Sequence, residues 1–578
     1  MTSKIISRRP DLTGLALALV FFCLSLTPSL LPRPWAWQGV VGGITAAIGY
    51  TLGVLAATCY RAARSWIGPP PRRPAIDPGR VLTWAAAVAI PVSLIGGAHA
   101  QGEVRRLIGV EQVEGWELLL VPLLAALVAA AFVLAARLAR LAVRALISLL
   151  ARVLPRRAAV AAGFTLGVAL LTLVVWDLLL GSLINRTAAG FGLADGTTPP
   201  GITRPPSGLL AGGPGSLTPW ETLGREGRIF VAHTPDAGRI AAFTGRPAKH
   251  PIRVYAGLGS AASPAQQAGL VVRELHRTGA FDRKILVVAA STGTGWVNQK
   301  AAQAVEYLHG GDTAIAAMQY SYLPSWISFL VDRSRAREAA GELFAAVRRE
   351  WARLPVGDRP RLLVYGESLG AFGIEGALRE PDTLLTQAQG ALLVGSPRYS
   401  PIHRQVLAGR DPGSPVWRPV YRGGRHIRTA QHPADLTSAA TLHPATALHP
   451  APGLTATAPP RPPRARVLGE WEQPRVAYLQ NASDPVVWWE PELLYQRPDW
   501  LRAPVGPDVN PRMSWWPIIT FWQVLADLVA AADMPPGHGH DYGTAIPAGW
   551  VAVAAPEGWT AADSARLQAL IAQVRSGQ

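Results

Sequence analysis

Five apolar runs occupy the first third of the chain, at Leu12 to Leu31, Gly39 to Thr58, Val81 to Ala98, Leu118 to Ala136 and Ala158 to Ile184. A helix needs about 20 apolar residues to cross a bilayer, so each run approaches spanning length, although the third is short and carries Pro91. The pattern predicts a transmembrane domain of about five helices over residues 1–186, with four or six as the neighbouring counts. The first run follows Lys4, Arg8 and Arg9 as a signal peptide would. It is too long for one and lacks a small-residue cleavage site, so it reads as a retained anchor.

Basic residues set the expected orientation. Lys4, Arg8 and Arg9 precede the first run, Arg61, Arg64, Arg72, Arg73 and Arg80 separate the second from the third, and Arg137, Arg140, Arg144, Arg152, Arg156 and Arg157 separate the fourth from the fifth. The opposite side keeps Arg33, Arg105, Arg106 and Arg186. The positive-inside rule then places the N-terminus in the cytoplasm and, after five spans, everything beyond Arg186 outside it. A different parity of spans reverses that assignment.

The net charge of +17 does not call for nucleic acid, because much of it sits in these flanks, where it meets anionic headgroups. Membrane lipids are the expected partners. The two cysteines, Cys23 and Cys59, fall inside apolar runs and build no disulfide framework. Arginines recur at helical spacing among leucines from Arg137 to Arg157, as in an interfacial helix or a cytoplasmic extension of the fourth span. Asp177, near the outer end of the fifth run, reads as interfacial.

Residues 187–223 are rich in Gly, Pro, Thr and Ser and suit a linker. Beyond them, from 224 to 578, short β-rich runs alternate with helical stretches. The runs are PIRVYAG from Pro251, ILVVAA from Ile285, TAIAAMQYS from Thr313, RLLVYG from Arg361, GALLVG from Gly390 and RVAYLQ from Arg475. Such alternation predicts an α/β fold with a mostly parallel sheet covered by helices. Residues 431–464 interrupt it with a Pro, Ala and Thr-rich insertion. His432, His443 and His449 lie there, each followed by Pro, with no cysteine nearby and no zinc spacing, so no metal site is expected.

Between the run RLLVYG and the helical LGAFGIEGAL lies Gly366-Glu367-Ser368-Leu369-Gly370. A bare GxSxG is weak evidence, but a strand-turn-helix setting makes it a nucleophile elbow, in which Gly366 and Gly370 keep neighbouring chain clear and Ser368 projects from the sheet. The competing reading is a strand-to-helix turn with a serine cap. Glu367 either tunes the site or faces away.

A serine hydroxyl needs a histidine to take its proton and a carboxylate to orient that histidine. In this order of elements the acid and then the histidine follow the serine. Asp484 lies just past the strand RVAYLQ and is the candidate acid; an Asp-Pro turn is the alternative. The segment MPPGHGHDYG supplies His538 and His540. By analogy with Gly-His-Gly loops of such hydrolases His538 is favoured, with His540 then orienting the loop or touching substrate. The oxyanion requires preorganised donors: the N–H of Leu369, and the loop Ser291-Thr292-Gly293-Thr294-Gly295 after ILVV, with Thr292 and Gly293 foremost. No Gly-Lys-Ser/Thr follows that loop, so it is no P-loop. Nothing in the chain asks for a cofactor or a metal.

Taken together, GREGRIFV, STGTGWVN, QYSYLPSW, YGESLGAFG, YLQNASDPVVWW and PPGHGHDYG, after an N-terminal part carrying SLLPRPWAWQG, resemble a poorly characterised bacterial family of membrane-anchored alpha/beta-hydrolases. The resemblance spans most of the chain. It implies an alpha/beta-hydrolase fold with Ser368 as nucleophile beside Asp484 and a histidine of the GHGH loop, and it implies no particular substrate; together with the apolar runs it makes the chain an expected integral protein of the bacterial cytoplasmic membrane with its catalytic domain on the extracytoplasmic side. The insertion at 431–464 is an addition to that pattern.

Trp488, Trp489, Trp500, Trp515, Trp516 and Trp522 follow the acid. Such rings suit an acyl pocket, a membrane interface or plain core, and a site tethered near a bilayer suggests a lipid or other hydrophobic ester. Three functions are compatible with these residues: a serine esterase or lipase, an acyltransferase using the same triad, and a non-enzymatic membrane binding protein.

Overall fold

The computed structural model describes residues 10–64, 77–112, 115–174, 190–331, 333–436, 441–442, 466–502 and 504–574. The chain forms two compact units. One comprises Met1–Thr187, Pro491–Leu501 and Val509–Ala530; the other comprises Ala188–Glu490, Arg502–Asp508 and Ala531–Gln578.

In the first unit, the opening apolar run does not make one spanning helix. Asp11 caps α1 (Leu12–Ser25) by accepting from the N–H groups of Thr13 and Gly14 at 3.0 and 3.2 Å. The chain then leaves the helix in a stretch carrying Pro28, Pro32 and Pro34, none of which can donate to a helical bond. Fourteen residues rise about 21 Å against a hydrocarbon core of about 30 Å. Four helices among the described residues are long and apolar enough to cross a membrane: α2 (Trp35–Arg64), α3 (Pro78–Ile108), α4 (Leu120–Leu150, entered through a 3-10 turn) and α5 (Arg156–Leu173). The expected five spans are therefore four long helices and a short one.

Pro91 lies within α3 without ending it. α4 runs unbroken through Arg137, Arg140 and Arg144, so these arginines belong to an extension of that span rather than to a separate interfacial helix. Asp177 lies outside the described residues.

The second unit is built on seven parallel strands. They are β1 (Ile252–Ala256), β2 (Ile285–Ala290), β3 (Thr313–Met318), β4 (Arg361–Glu367), β5 (Gly390–Val394), β6 (Ile427–Ala430) and β9 (Arg475–Leu479). Their spatial order is β1-β3-β2-β4-β5-β9-β6. A short antiparallel pair, β7 (Thr441–Leu442) with β8 (Arg466–Val467), stands apart from this sheet. All six sequence-derived strands appear, and β6 adds an edge. Strand β4 is central, with Ala290 of β2 opposite Gly366 on one side and Val394 of β5 opposite Glu367 on the other.

Nearly every strand residue is buried, as expected when helices cover both faces of a parallel sheet. Phe230, Tyr255, Leu392, Trp550 and Val553 belong to the core. Within the stretch read as a linker, Leu210 and Ala211 are buried and Leu210 bridges Arg253 of β1, while Glu274 accepts from Ser216 Oγ (2.6 Å) and Leu217 N–H (3.0 Å). Of the Pro-rich insertion, residues 431–436 and 441–442 are described, and His443 and His449 lie outside the described residues.

One charge pair lies entirely in this core. Arg253 donates through Nε and Nη2 to both carboxylate oxygens of Glu306, at 2.7 and 2.8 Å, and through Nη1 to Gln299 and the Phe230 carbonyl. Removing one partner strands the other charge in a dry environment. Glu306→Ala is expected to destabilise this unit by about 3–5 kcal/mol, read as a lower denaturation midpoint, whereas an unchanged midpoint would show the guanidinium to be solvated.

Candidate active site

Strand β4 ends at Glu367, and helix α6 (Leu369–Leu378) begins one residue after Ser368. The turn between them holds Ser368 at φ 54°, ψ −122°, a conformation that non-glycine residues rarely adopt. A Cβ on Gly366 would lie 2.6 Å from the Ala371 nitrogen, and one on Gly370 would overlap the Ala290 carbonyl oxygen at the end of β2. The two glycines therefore leave the room that lets α6 turn back over the sheet, which is the function expected of an elbow.

The strain makes a separable prediction. A residue held this way stores about 1–3 kcal/mol. Ser368→Gly should remove the hydroxyl and raise thermal stability relative to Ser368→Ala, by about 1 kcal/mol; equal stability of the two variants would mean that the turn is unstrained.

Asp484 lies at the end of the β9 side of the sheet, fully buried. One carboxylate oxygen accepts the Val486 N–H at 2.8 Å; the other accepts His540 Nδ1 at 2.7 Å and the Tyr542 hydroxyl at 2.6 Å. An ionised carboxylate only accepts, so Nδ1 carries the proton and Nε2 presents a lone pair. That Nε2 is buried and has no hydrogen-bond partner among the described residues. Burial alone would lower the imidazole pKa, but the Asp484 carboxylate, helped by Glu367 and Asp541, outweighs it and holds His540 above its ordinary value.

The histidine favoured by sequence pairs elsewhere. His538 Nδ1 faces Asp508 at 3.3 Å and its side chain is 24% exposed, whereas that of His540 is 7% exposed. His540, the alternative, is the one on Asp484. Asn481 fixes the loop by donating Nδ2 to the carbonyls of Gly539 (3.0 Å) and Asp541 (3.2 Å).

Ser368 and His540 converge through β5. The Ser368 N–H donates to the Val394 carbonyl at 2.9 Å, and a Cβ on the next residue, Gly395, would lie 2.8 Å from His540 Nδ1. Ser368 and His540 thus both border the carboxyl end of β5, and Asp484 follows the carboxyl end of β9, the side on which open α/β sheets bind ligands.

Among the oxyanion candidates, Leu369 is the first residue of α6, so its N–H has no carbonyl one turn back within the helix. Thr292 is different. Its N–H donates to the Trp296 carbonyl at 3.0 Å, which commits that donor to shaping the loop, and its hydroxyl accepts from Ser325 at 3.0 Å. Gly293 sits against Leu323 and Ser325 too closely for a side chain.

Glu367 turns inward. Its carboxylate accepts from the Tyr365 hydroxyl and from Asn298 Nδ2 (2.9 Å), the cap of the helix Gln299–Leu308 that follows the oxyanion loop. Burial raises its pKa despite these donors and the neighbouring His540. It ties the end of β4 to the start of the helix Gln299–Leu308. Sequence reasoning missed Tyr542, although it stands two residues beyond His540. No group of three or more His, Cys, Asp or Glu among the described residues could hold a metal ion.

Comparison with known families matches two models, one described as an alpha/beta-hydrolase family over residues 252–567 and one as the N-terminus of an alpha/beta-hydrolase family over residues 26–235. No curated protein matches the chain. With its parallel sheet, strained serine turn and the first of these matches extending over more than half its length, this chain belongs to the alpha/beta-hydrolase family.

Proposed function

We propose that the protein is a membrane-anchored serine hydrolase that cleaves a hydrophobic ester through Ser368, His540 and Asp484. The observation that carries this reading is the buried, unpartnered Nε2 of His540, whose opposite nitrogen is locked onto Asp484 beside a strained serine turn. Ser368 Oγ attacks the ester carbonyl as Nε2 takes its proton, and Asp484 stabilises the imidazolium that forms. The N–H of Leu369, with Gly293 as the candidate second donor, receives the developing oxyanion. His540 returns the proton to the leaving alcohol, and water activated by the same nitrogen then releases the acid from Ser368.

A hydrophobic acyl group is suggested by a cluster of aromatic rings that begins on α6, over which the Arg333 guanidinium also lies, 4.0 Å from the Tyr399 ring centre. Phe372, one turn along α6 from Ser368, lies 5.3 Å from Tyr399; Phe329 lies 5.2 Å from Tyr399 and 5.6 Å from Trp489, measured between ring centres. Of the six tryptophans from Trp488 to Trp522, Trp488 and Trp489 belong to this unit and the other four to the first. The N-terminal helices anchor the protein in the cytoplasmic membrane; with α1 too short to span, the arginines that end α2 and those between α4 and α5 still share one, cytoplasmic, side, which favours an extracytoplasmic position for the chain after α5.

A series of p-nitrophenyl esters tests the reading. Turnover should begin with a burst, and kcat/KM should rise as the acyl chain lengthens, by up to about 0.8 kcal/mol for each buried methylene. Turnover of acetate and long-chain esters alike would refute the hydrophobic preference, and absence of any burst or turnover would refute the hydrolase.

A further inference from the structure

The first unit contains a cavity of about 1470 Å³ lined chiefly by α1, α2 and α4. A small-molecule pocket has about 300–1,000 Å³, so this space suits something larger. Its closed end is set by glycines. A Cβ on Gly39 would lie 2.9 Å from Leu124 Cβ, and one on Gly43 would lie 2.5 Å from Val128 Cβ, so α2 and α4 meet closely at these positions. The cavity begins just beyond them, at Ile44 on α2 and Phe132 on α4.

Helix α1 leaves the other end open. A Cβ on Gly53 would lie 2.5 Å from the Thr13 carbonyl oxygen, so α1 starts level with Gly53. The last eleven residues of α2, about 16 Å of helix, extend past that point to Arg64.

The lining changes chemistry along its length. On α2 it carries no charge from Ile44 to Tyr60 and then reaches Arg61; on α4 it passes from Phe132, Val133 and Ala136 to Arg137, Arg140 and Arg144. Against these four arginines the described lining has one acid, Asp11, which caps α1 and accepts from Arg61 at 3.2 Å. Arg140 and Arg144 are exposed, four residues apart on one face of α4, and neither pairs with a described residue. An apolar wall that ends in uncompensated guanidinium groups matches an amphiphile with an anionic head.

We propose that this cavity is a binding site for an anionic glycerophospholipid. Its acyl chains lie against the apolar wall that begins at Ile44 and Phe132, and its phosphate oxygens accept from Arg140 and Arg144, since guanidinium groups bind phosphate through paired N–H donors. A zwitterionic lipid brings its own cation to the basic end and fits less well. This inference rests on the reading of the first unit as membrane-spanning and is independent of the serine chemistry.

The test uses full-length protein in a neutral detergent, exposed to phosphatidylglycerol or to phosphatidylcholine with the same chains, with the retained lipid counted by native mass spectrometry. The wild type should retain phosphatidylglycerol about tenfold or more over phosphatidylcholine. Arg140→Gln with Arg144→Gln should remove most of that preference, at about fivefold for each basic residue. Arg105→Gln with Arg106→Gln, the same loss of charge at the end of α3 and outside the cavity, should leave it intact. Ala136→Phe fills part of the wall without changing charge and should lower phosphatidylglycerol retention. Equal retention of both lipids by the wild type, equal losses from the two arginine pairs, or indifference to Ala136→Phe would overturn the site. Protein that stays dispersed in buffer with neither detergent nor lipid would overturn the membrane reading and the site with it.

Discussion

His540→Ala is expected to lower kcat/KM for an ester by about 10,000-fold, while His538→Ala costs less than about tenfold. The contrast follows from what each ring touches. His540 donates to the buried Asp484 and keeps an unengaged nitrogen, whereas His538 lies partly exposed against Asp508. His538 still contributes, because Asp508 also holds Ser483 and, through it, the Gly539 N–H. A small effect on rate with some loss of loop order is the expected phenotype. Equal losses from both histidines would mean that the loop acts as a unit and that the assignment of the base is wrong.

Asp484→Asn should reduce kcat by about 10,000-fold, through loss of the tautomer that leaves Nε2 free and of the charge that stabilises the imidazolium. The pH profile adds a second readout with a definite sign. A general base works in its neutral form, so activity should rise with pH through the pKa of His540 and vanish below it. Because Asp484 outweighs burial and holds that pKa above the ordinary histidine value, the acid limb of the wild type should lie above about pH 6.5. In Asp484→Asn burial is no longer opposed to the same extent, and the limb of the residual activity should move to lower pH. A limb that stays in place would show that another group controls the titration.

Much of this was readable from the sequence where the determinants are local. The elbow was, because the two glycines, the serine and the flanking strand and helix lie within fifteen residues. Asp484 was, because the strand RVAYLQ runs directly into it. The break after α1 was not read, because the hydrophobicity from Leu12 to Leu31 suggested a span and Pro28 within that run was not taken as its end.

The choice between His538 and His540 was not readable. Both sit in the same Gly-His-Gly-His stretch, and what separates them is long-range: Asn481 and the Ala531 carbonyl set the loop so that His540 reaches Asp484. Thr292 looked like an oxyanion donor because its loop follows a strand, but its N–H returns to Trp296 within the loop. Ser29 donates its hydroxyl to Asp527, 498 residues away in sequence, and no periodicity or motif links them. The helix that carries Asp527 lies within residues 224–578, read as the hydrolase domain, yet it packs with α1 and α2.

The most direct measurement is fluorophosphonate labelling of the detergent-solubilised protein followed by mass spectrometry of the modified peptide. The account predicts a single adduct on Ser368, lost in Ser368→Ala and strongly slowed in His540→Ala and Asp484→Asn. An adduct on a different residue, or labelling of Ser368 that is indifferent to His540, would contradict it.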